Sequence, residues 1–84
     1  MKEDEIKFFI TCINYATAIV RGEVIERIAP RDIIDMVSQW LPPKRAYYYL
    51  QKWSDLGFYD YGVSLGCGWL ETDKIPERYR KLLG

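Results

Sequence analysis

A helix that runs straight into a β-ribbon is the feature that most narrows what this chain can fold into. Residues 42–70 read PPKRAYYYLQKWSDLGFYDYGVSLGCGWL. Proline lacks an amide donor and disfavours helical geometry in the residue before it, so Pro42-Pro43 ends whatever precedes and Pro43 can open a new helix in its first turn. Over residues 44–56, Ala46, Tyr49, Leu50, Trp53 and Leu56 then share one helical face, while Lys44, Arg45, Tyr48, Gln51, Lys52 and Asp55 share the opposite arc. Gly57 supplies the left-handed residue that ends such a helix. Phe58–Leu65 and Trp69–Thr72 have strand composition, and Gly66-Cys67-Gly68 between them predicts a hairpin whose short tip tolerates positive φ.

Two helical segments precede this junction. From Glu3 to about Val20, Ile6, Phe9, Ile10, Ile13, Thr17 and Val20 recur at helical spacing and predict the core face of an amphipathic helix that stops at Gly22. A second apolar line, Phe8, Cys12, Tyr15 and Ile19, follows roughly 140° around the same helix, so the helix is expected to be covered on two sides. That second line either meets another part of its own chain or makes a dimer contact. Residues 23–29 (EVIERIA) read as a short strand or an extended connection. Pro30 then opens a second helix, with Ile33, Ile34, Met36, Val37, Trp40 and Leu41 inward and Asp32 and Asp35 near its positive end. Residues 75–83 (IPERYRKLL) predict a closing helix, with Glu77 in its first turn and Arg80 and Lys81 in its last.

The 84 residues make a single domain, 1–84, of α+β class and mainly α. Three core helices, a two-stranded hairpin and a short C-terminal helix are expected. A net charge of zero and a pI near 6.2 argue against coating nucleic acid through bulk positive charge. Local charge is uneven, since residues 29–53 hold four Lys/Arg against two Asp/Glu, whereas the segments on either side each carry one excess acid. Cys12 and Cys67 offer no disulfide framework and no histidine completes a zinc site, so a reducing cytosol fits and no cofactor is implied. The acidic start MKEDEIKFF lacks the charge of a secretory signal, and no run of 18 apolar residues predicts a membrane span. Asp60, Glu71 and Asp73 read as solvated strand carboxylates. With no nucleophile elbow and no phosphate-cradling glycine loop, catalysis is not expected.

Leu50, Trp53 and Leu56-Gly57-Phe58 look like the ending of the third helix in the winged helix-turn-helix superfamily, as it leads into the wing. Over about residues 5 to 73 the order of elements resembles that superfamily. The resemblance implies a small regulator of transcription, bacterial or phage in flavour, that binds double-stranded DNA with helix 44–56 in the major groove. Lys44, Arg45, Tyr48, Gln51 and Lys52 become the DNA-facing set, with donors suited to base edges and phosphates. It also implies a homodimer paired through terminal helices, with Phe8, Cys12, Tyr15 and Ile19 as the contact. The rival implication is a protein-docking module of a phage or mobile-element assembly, which net neutrality and the acidic hairpin fit.

Overall fold

The computed structural model describes residues 1–16, 19–20, 23–24 and 28–84, with the backbone alone at 16, 19–20 and 23–24. The elements follow in the order α1 (Glu3–Ala16), β1 (Ile19–Val20), β2 (Glu23–Val24), α2 (Pro30–Met36), α3 (Pro43–Asp55), β3 (Tyr59–Asp60), β4 (Trp69–Leu70) and α4 (Glu77–Arg80). Short 3₁₀ turns lie at Leu65–Cys67, Thr72–Lys74 and Lys81–Leu83. Two antiparallel ribbons form, β1 with β2 and β3 with β4, the latter in the register Tyr59↔Leu70 and Asp60↔Trp69. The protein is thus α+β and mainly α. No helix among the described residues is long and apolar enough to cross a membrane.

α1 is shorter than its apolar pattern predicts. It ends at Ala16, and Ile19 and Val20 pair as a strand with Val24 and Glu23. β-branched Ile and Val favour the pleated ribbon once a hairpin partner is available. Thr17, Gly22 and the side chains of Ile19 and Val20, all assigned to the helix or its stop, lie outside the described residues. The core draws on both apolar lines of α1 rather than on the first alone. Glu5, Phe8, Phe9 and Cys12 are fully buried, whereas Ile6, Ile10 and Ile13 are only half-buried.

α2 opens at Pro30, as the missing amide allows, with the Asp32 and Ile33 amides donating to the Ala29 carbonyl at 2.9 and 3.2 Å. It stops at Met36, and a further turn carries Val37 to Leu41 through bonds from the Trp40 and Leu41 amides to the Val37 carbonyl. Ile33, Ile34, Val37 and Leu41 are buried as expected, while Met36 is exposed and Trp40 half-buried.

α3 begins at Pro43 and ends in a Schellman closure. The Phe58 amide donates to the Trp53 carbonyl at 3.2 Å and the Gly57 amide to the Ser54 carbonyl at 3.0 Å, with Gly57 left-handed at φ 92°. The apolar contact that accompanies this motif is present too, because the Phe58 and Trp53 rings lie 5.9 Å apart. Ala46, Tyr49, Leu50 and Trp53 are buried, but Leu56, predicted to join them, is 39% exposed, since the closure turns the chain there toward β3.

The core is an aromatic cluster drawn from distant segments. Trp53 stacks on Phe8 at 5.3 Å and meets Phe9 edge-on at 5.7 Å, and Tyr79 of α4 packs against Phe58 at 4.9 Å and Phe9 at 5.2 Å. Such pairs add roughly 0.5–1.5 kcal/mol each beyond their buried area.

The β3–β4 connection departs most from expectation. Gly66–Gly68 is not a free tip with positive φ; Leu65–Cys67 forms a 3₁₀ turn folded back on α2 and α3, and Gly66 is buried. A Cβ at Gly66 would sit 3.0 Å from the Arg31 Cβ and 3.2 Å from the Tyr47 hydroxyl. The Tyr59 hydroxyl holds the turn, donating to the Leu65 carbonyl and accepting from the Gly68 amide at 3.0 Å. What faces solvent instead is Gly62–Ser64, with Val63 fully exposed.

Trp53→Ala is expected to cost about 3–5 kcal/mol, enough to unfold a domain of this size. Gly68→Ala would place a methyl 2.3 Å from the Asp60 carbonyl oxygen, so it should lower the melting temperature sharply, while Gly62→Ala, with open space around its Cβ, should leave it nearly unchanged. Equal melting temperatures for the two alanine variants would contradict this account of the hairpin.

Candidate nucleic-acid interface

The exposed arc of α3 depends on what holds the edge of the helix beside it. Consecutive acids in the first turn of α1, favoured there by the helix dipole, provide the hold. Asp4 accepts from Arg45 at 2.8 Å on one oxygen and from the Tyr49 hydroxyl at 2.7 Å on the other. Glu5 accepts from Lys52 at 2.8 Å on Oε1, and from the Trp53 indole N–H at 3.0 Å and the Tyr79 hydroxyl at 2.6 Å on Oε2. Residues 45, 49, 52 and 53 of α3 follow each other at helical spacing, so two adjacent carboxylates engage one continuous edge of it.

Glu5 is only 1% exposed. Burial pushes its carboxyl upward, but the hydrogen bonds from Lys52, Tyr79 and Trp53 together with the nearby Lys52 charge outweigh this and hold it below the ordinary value of 4.5. The Tyr49 hydrogen bond is the main reason Asp4 is held low, with Arg45 adding to it. The phenols move the other way. Tyr49 is pushed up to about 12 by burial and by its bond to Asp4, and Tyr79 is raised by burial and by Glu5. Among the described residues every buried side-chain nitrogen and oxygen has a hydrogen-bond partner.

This clamp decides what the predicted DNA-facing set can offer. Lys44, Tyr48 and Gln51 stand one helical turn apart on the outer face, and Tyr48 is 65% exposed. Gln51 donates to Asp55 at 3.0 Å along the same face. Arg45 and Lys52 flank them, but each has its charge set against an α1 carboxylate. Arg45 is half-exposed and pairs with a half-buried acid, whereas Lys52 is tied to a fully buried acid and serves the fold. Beside this arc, Lys2, Glu5, Arg45, Tyr48, Tyr49 and Lys52 line an open pocket of about 430 Å³.

The residues predicted as a dimer contact are not brought together on a surface. Phe8 and Cys12 are buried in the protomer's own core, Phe8 stacked on Trp53, and burial pushes the Cys12 thiol far up. Tyr15 is exposed, and the Ile19 backbone lies in β1 rather than on the helix. The physical reason is that Phe8 and Cys12 follow Glu5 at helical spacing, and the clamp on Glu5 turns these two inward with it.

The Asp4–Glu5 clamp itself escapes a reading of helical periodicity, which treats acids in a first turn as solvated dipole partners. One signal does point to it: Glu5 falls on the same face as Phe8 and Cys12, and a carboxylate on an all-apolar line needs donors. No family model, curated protein or solved structure matches this chain.

Removing Glu5 leaves an ammonium, an indole N–H and a phenol without their acceptor. Glu5→Ala is therefore expected to cost about 3–5 kcal/mol, as truncating one partner of a buried charge pair does. Because the folded-state values of Asp4 and Glu5 lie below the ordinary ones, their stabilisation is complete above about pH 4.5 and is lost as the pH falls through the lower, folded-state values. The melting temperature should hold from neutrality to about that pH and then drop. Glu5→Gln should melt lower at pH 7 yet show a shallower acid limb, measurable by circular dichroism across pH 2–7.

Proposed function

We propose that this chain is a small cytoplasmic winged helix-turn-helix protein that binds double-stranded DNA through α3 and acts in regulating transcription. The observation that carries the reading is the outer line of α3. Lys44, Tyr48 and Gln51 project from a helix whose other side is fixed by core and clamp, so a lysine, a phenol and an amide are presented on a rigid element with Arg45 beside them. Those groups suit phosphate, sugar or thymine methyl, and adenine edges respectively. The order α2, short turn, α3 and β3–β4 ribbon supports the reading. Lys52 drops out of the contact set, because releasing it would strand buried Glu5.

A specific observation favours a second reading, a protein-docking module of a phage or mobile-element assembly. Asp4 and Glu5 neutralise Arg45 and Lys52, which leaves the α3 face with little net positive charge and exposed Tyr47 and Tyr48, a residue type enriched in protein interfaces.

Fluorescence anisotropy with a mixed duplex pool at two salt concentrations separates the two. DNA binding with a shallow salt dependence is expected, since few phosphates are neutralised. Lys44→Ala should lower the salt slope by about one, and Tyr48→Ala should cost about 1–3 kcal/mol on the preferred sequence if it touches a base. Both variants should melt like the parent protein, whereas Lys52→Ala should melt lower. Absence of duplex binding at low salt would end the DNA reading in favour of the docking one.

A further inference from the structure

The pocket of about 430 Å³ beside α3 lies between Lys2, just ahead of α1, and the edge of α3 that carries Arg45, Tyr48 and Lys52. The acids around it are already spent. Glu5 is buried, with Oε1 taken by Lys52 and Oε2 by Trp53 and Tyr79, while Asp4 has one oxygen on Arg45 and the other on Tyr49. The donors are not used up in the same way. Lys52 gives Glu5 one bond from an ammonium with three N–H groups, and Arg45 gives Asp4 one bond from a guanidinium with five. Lys2 is exposed and takes part in no ion pair among the described residues. Tyr48 adds an aromatic ring that leans edge-on against Tyr49 at 5.8 Å and stays 65% exposed.

We propose that this pocket binds the phosphate group of a small aromatic monoester, of the chemical type of a nucleoside monophosphate. A wall with donors left over and acceptors spent selects an oxyanion. Three cations at separate points suit a tetrahedral dianion with three terminal oxygens better than a planar carboxylate of single charge. Tyr48 supplies a π-face for the ring that the phosphate carries. The volume lies in the range of small-molecule pockets, roughly 300–1,000 Å³. Lys52 donates to the phosphate without leaving Glu5, so the clamp on α1 stays closed. A phosphate of a nucleic-acid backbone is a diester with one charge, and that separates it from a free monoester. The inference goes beyond the DNA reading and does not need it, because Lys2 and Lys52 stand outside the set proposed to meet a duplex.

An NMR titration of the intact chain with phenyl phosphate tests it, at about pH 7.5, where a monoester is mostly the dianion. A dissociation constant on the order of 0.1–1 mM is expected, with the amide shifts concentrated at Lys2, Arg45, Tyr48 and Lys52. Methyl phenyl phosphate, the diester with the same ring, should bind roughly tenfold more weakly for want of the second charge. Lys2→Ala should weaken phenyl phosphate roughly five- to tenfold with the melting temperature unchanged, since Lys2 is exposed. Lys81→Ala, at an exposed lysine that does not line the pocket, should leave the affinity as it was. Tyr48→Ala should bring phenyl phosphate down to the affinity of inorganic phosphate. No saturable shift in the millimolar range overturns the proposal, and so does a Lys81→Ala variant that loses as much as Lys2→Ala. A diester that binds as well as the monoester assigns the pocket to a backbone phosphate and overturns it too. A chain that binds a duplex but not phenyl phosphate loses this inference alone, whereas one that binds phenyl phosphate but no duplex upholds it and loses only the DNA reading.

Discussion

The buried carboxylate of Glu5 is the interaction on which the rest of this structure depends. It is the one charged residue fully inside the described core, and its donors come from α3 and α4, elements far from it in sequence. Taking a carboxylate out of water costs several kcal/mol, and only a full set of donors offsets that. Three such donors fix three things at once: the rotation of α1 about its axis, the height of α3 against it, and the seat of α4. Tyr79 serves this network and the aromatic cluster together, its hydroxyl on Glu5 and its ring against Phe9 and Phe58. An apolar core of the same volume tolerates small rotations of its helices. A carboxylate with three directional partners does not, which is how a chain of this size specifies one arrangement.

The clamp also sets the electrostatics of the outer surface. Arg45 and Lys52 have a basic appearance in the sequence, yet each faces an acid that α1 brings to it. One edge of α3 is thereby used to anchor the helix, while the line of Lys44, Tyr48 and Gln51 stays exposed. That line offers a phenol and an amide, with one lysine for charge. Any ligand of this face is therefore selected more by shape and hydrogen bonding than by attraction to bulk charge.

The ribbon after α3 is governed by close approach rather than by turn propensity. Gly66 and Gly68 are glycines because a side chain would strike Arg31 and Tyr47 in one case and Asp60 and Tyr59 in the other. Their backbone conformations need no left-handed residue; that demand falls on Gly57, where α3 closes. Arg80 plays a related part at the far end, donating to the Ile75 carbonyl at 2.8 Å and to the Asp73 carbonyl at 3.1 Å. Its guanidinium thereby ties α4 to the 3₁₀ turn before it.

The sequence by itself determined the elements whose causes are local. Pro30 and Pro43 start α2 and α3 because proline has no amide to lose in a first turn, and Gly57-Phe58 ends α3 because only glycine takes the left-handed position at low cost. The inward face of α3 followed from spacing alone except at Leu56, where the closure redirects the chain. Helical periodicity could show that α1 has two apolar lines, but not that the core would take Phe9 from one and Phe8 and Cys12 from the other. That choice rested on where Lys52, Trp53 and Tyr79 arrive in space to satisfy Glu5, and no local pattern encodes the meeting of residues so far apart in the chain. The same holds for the pairing of Arg45 with Asp4 and for the folding back of Gly66 onto α2 and α3. Propensity and periodicity act within a few residues, whereas charge pairing and close packing act through space, so only the tertiary structure decided them.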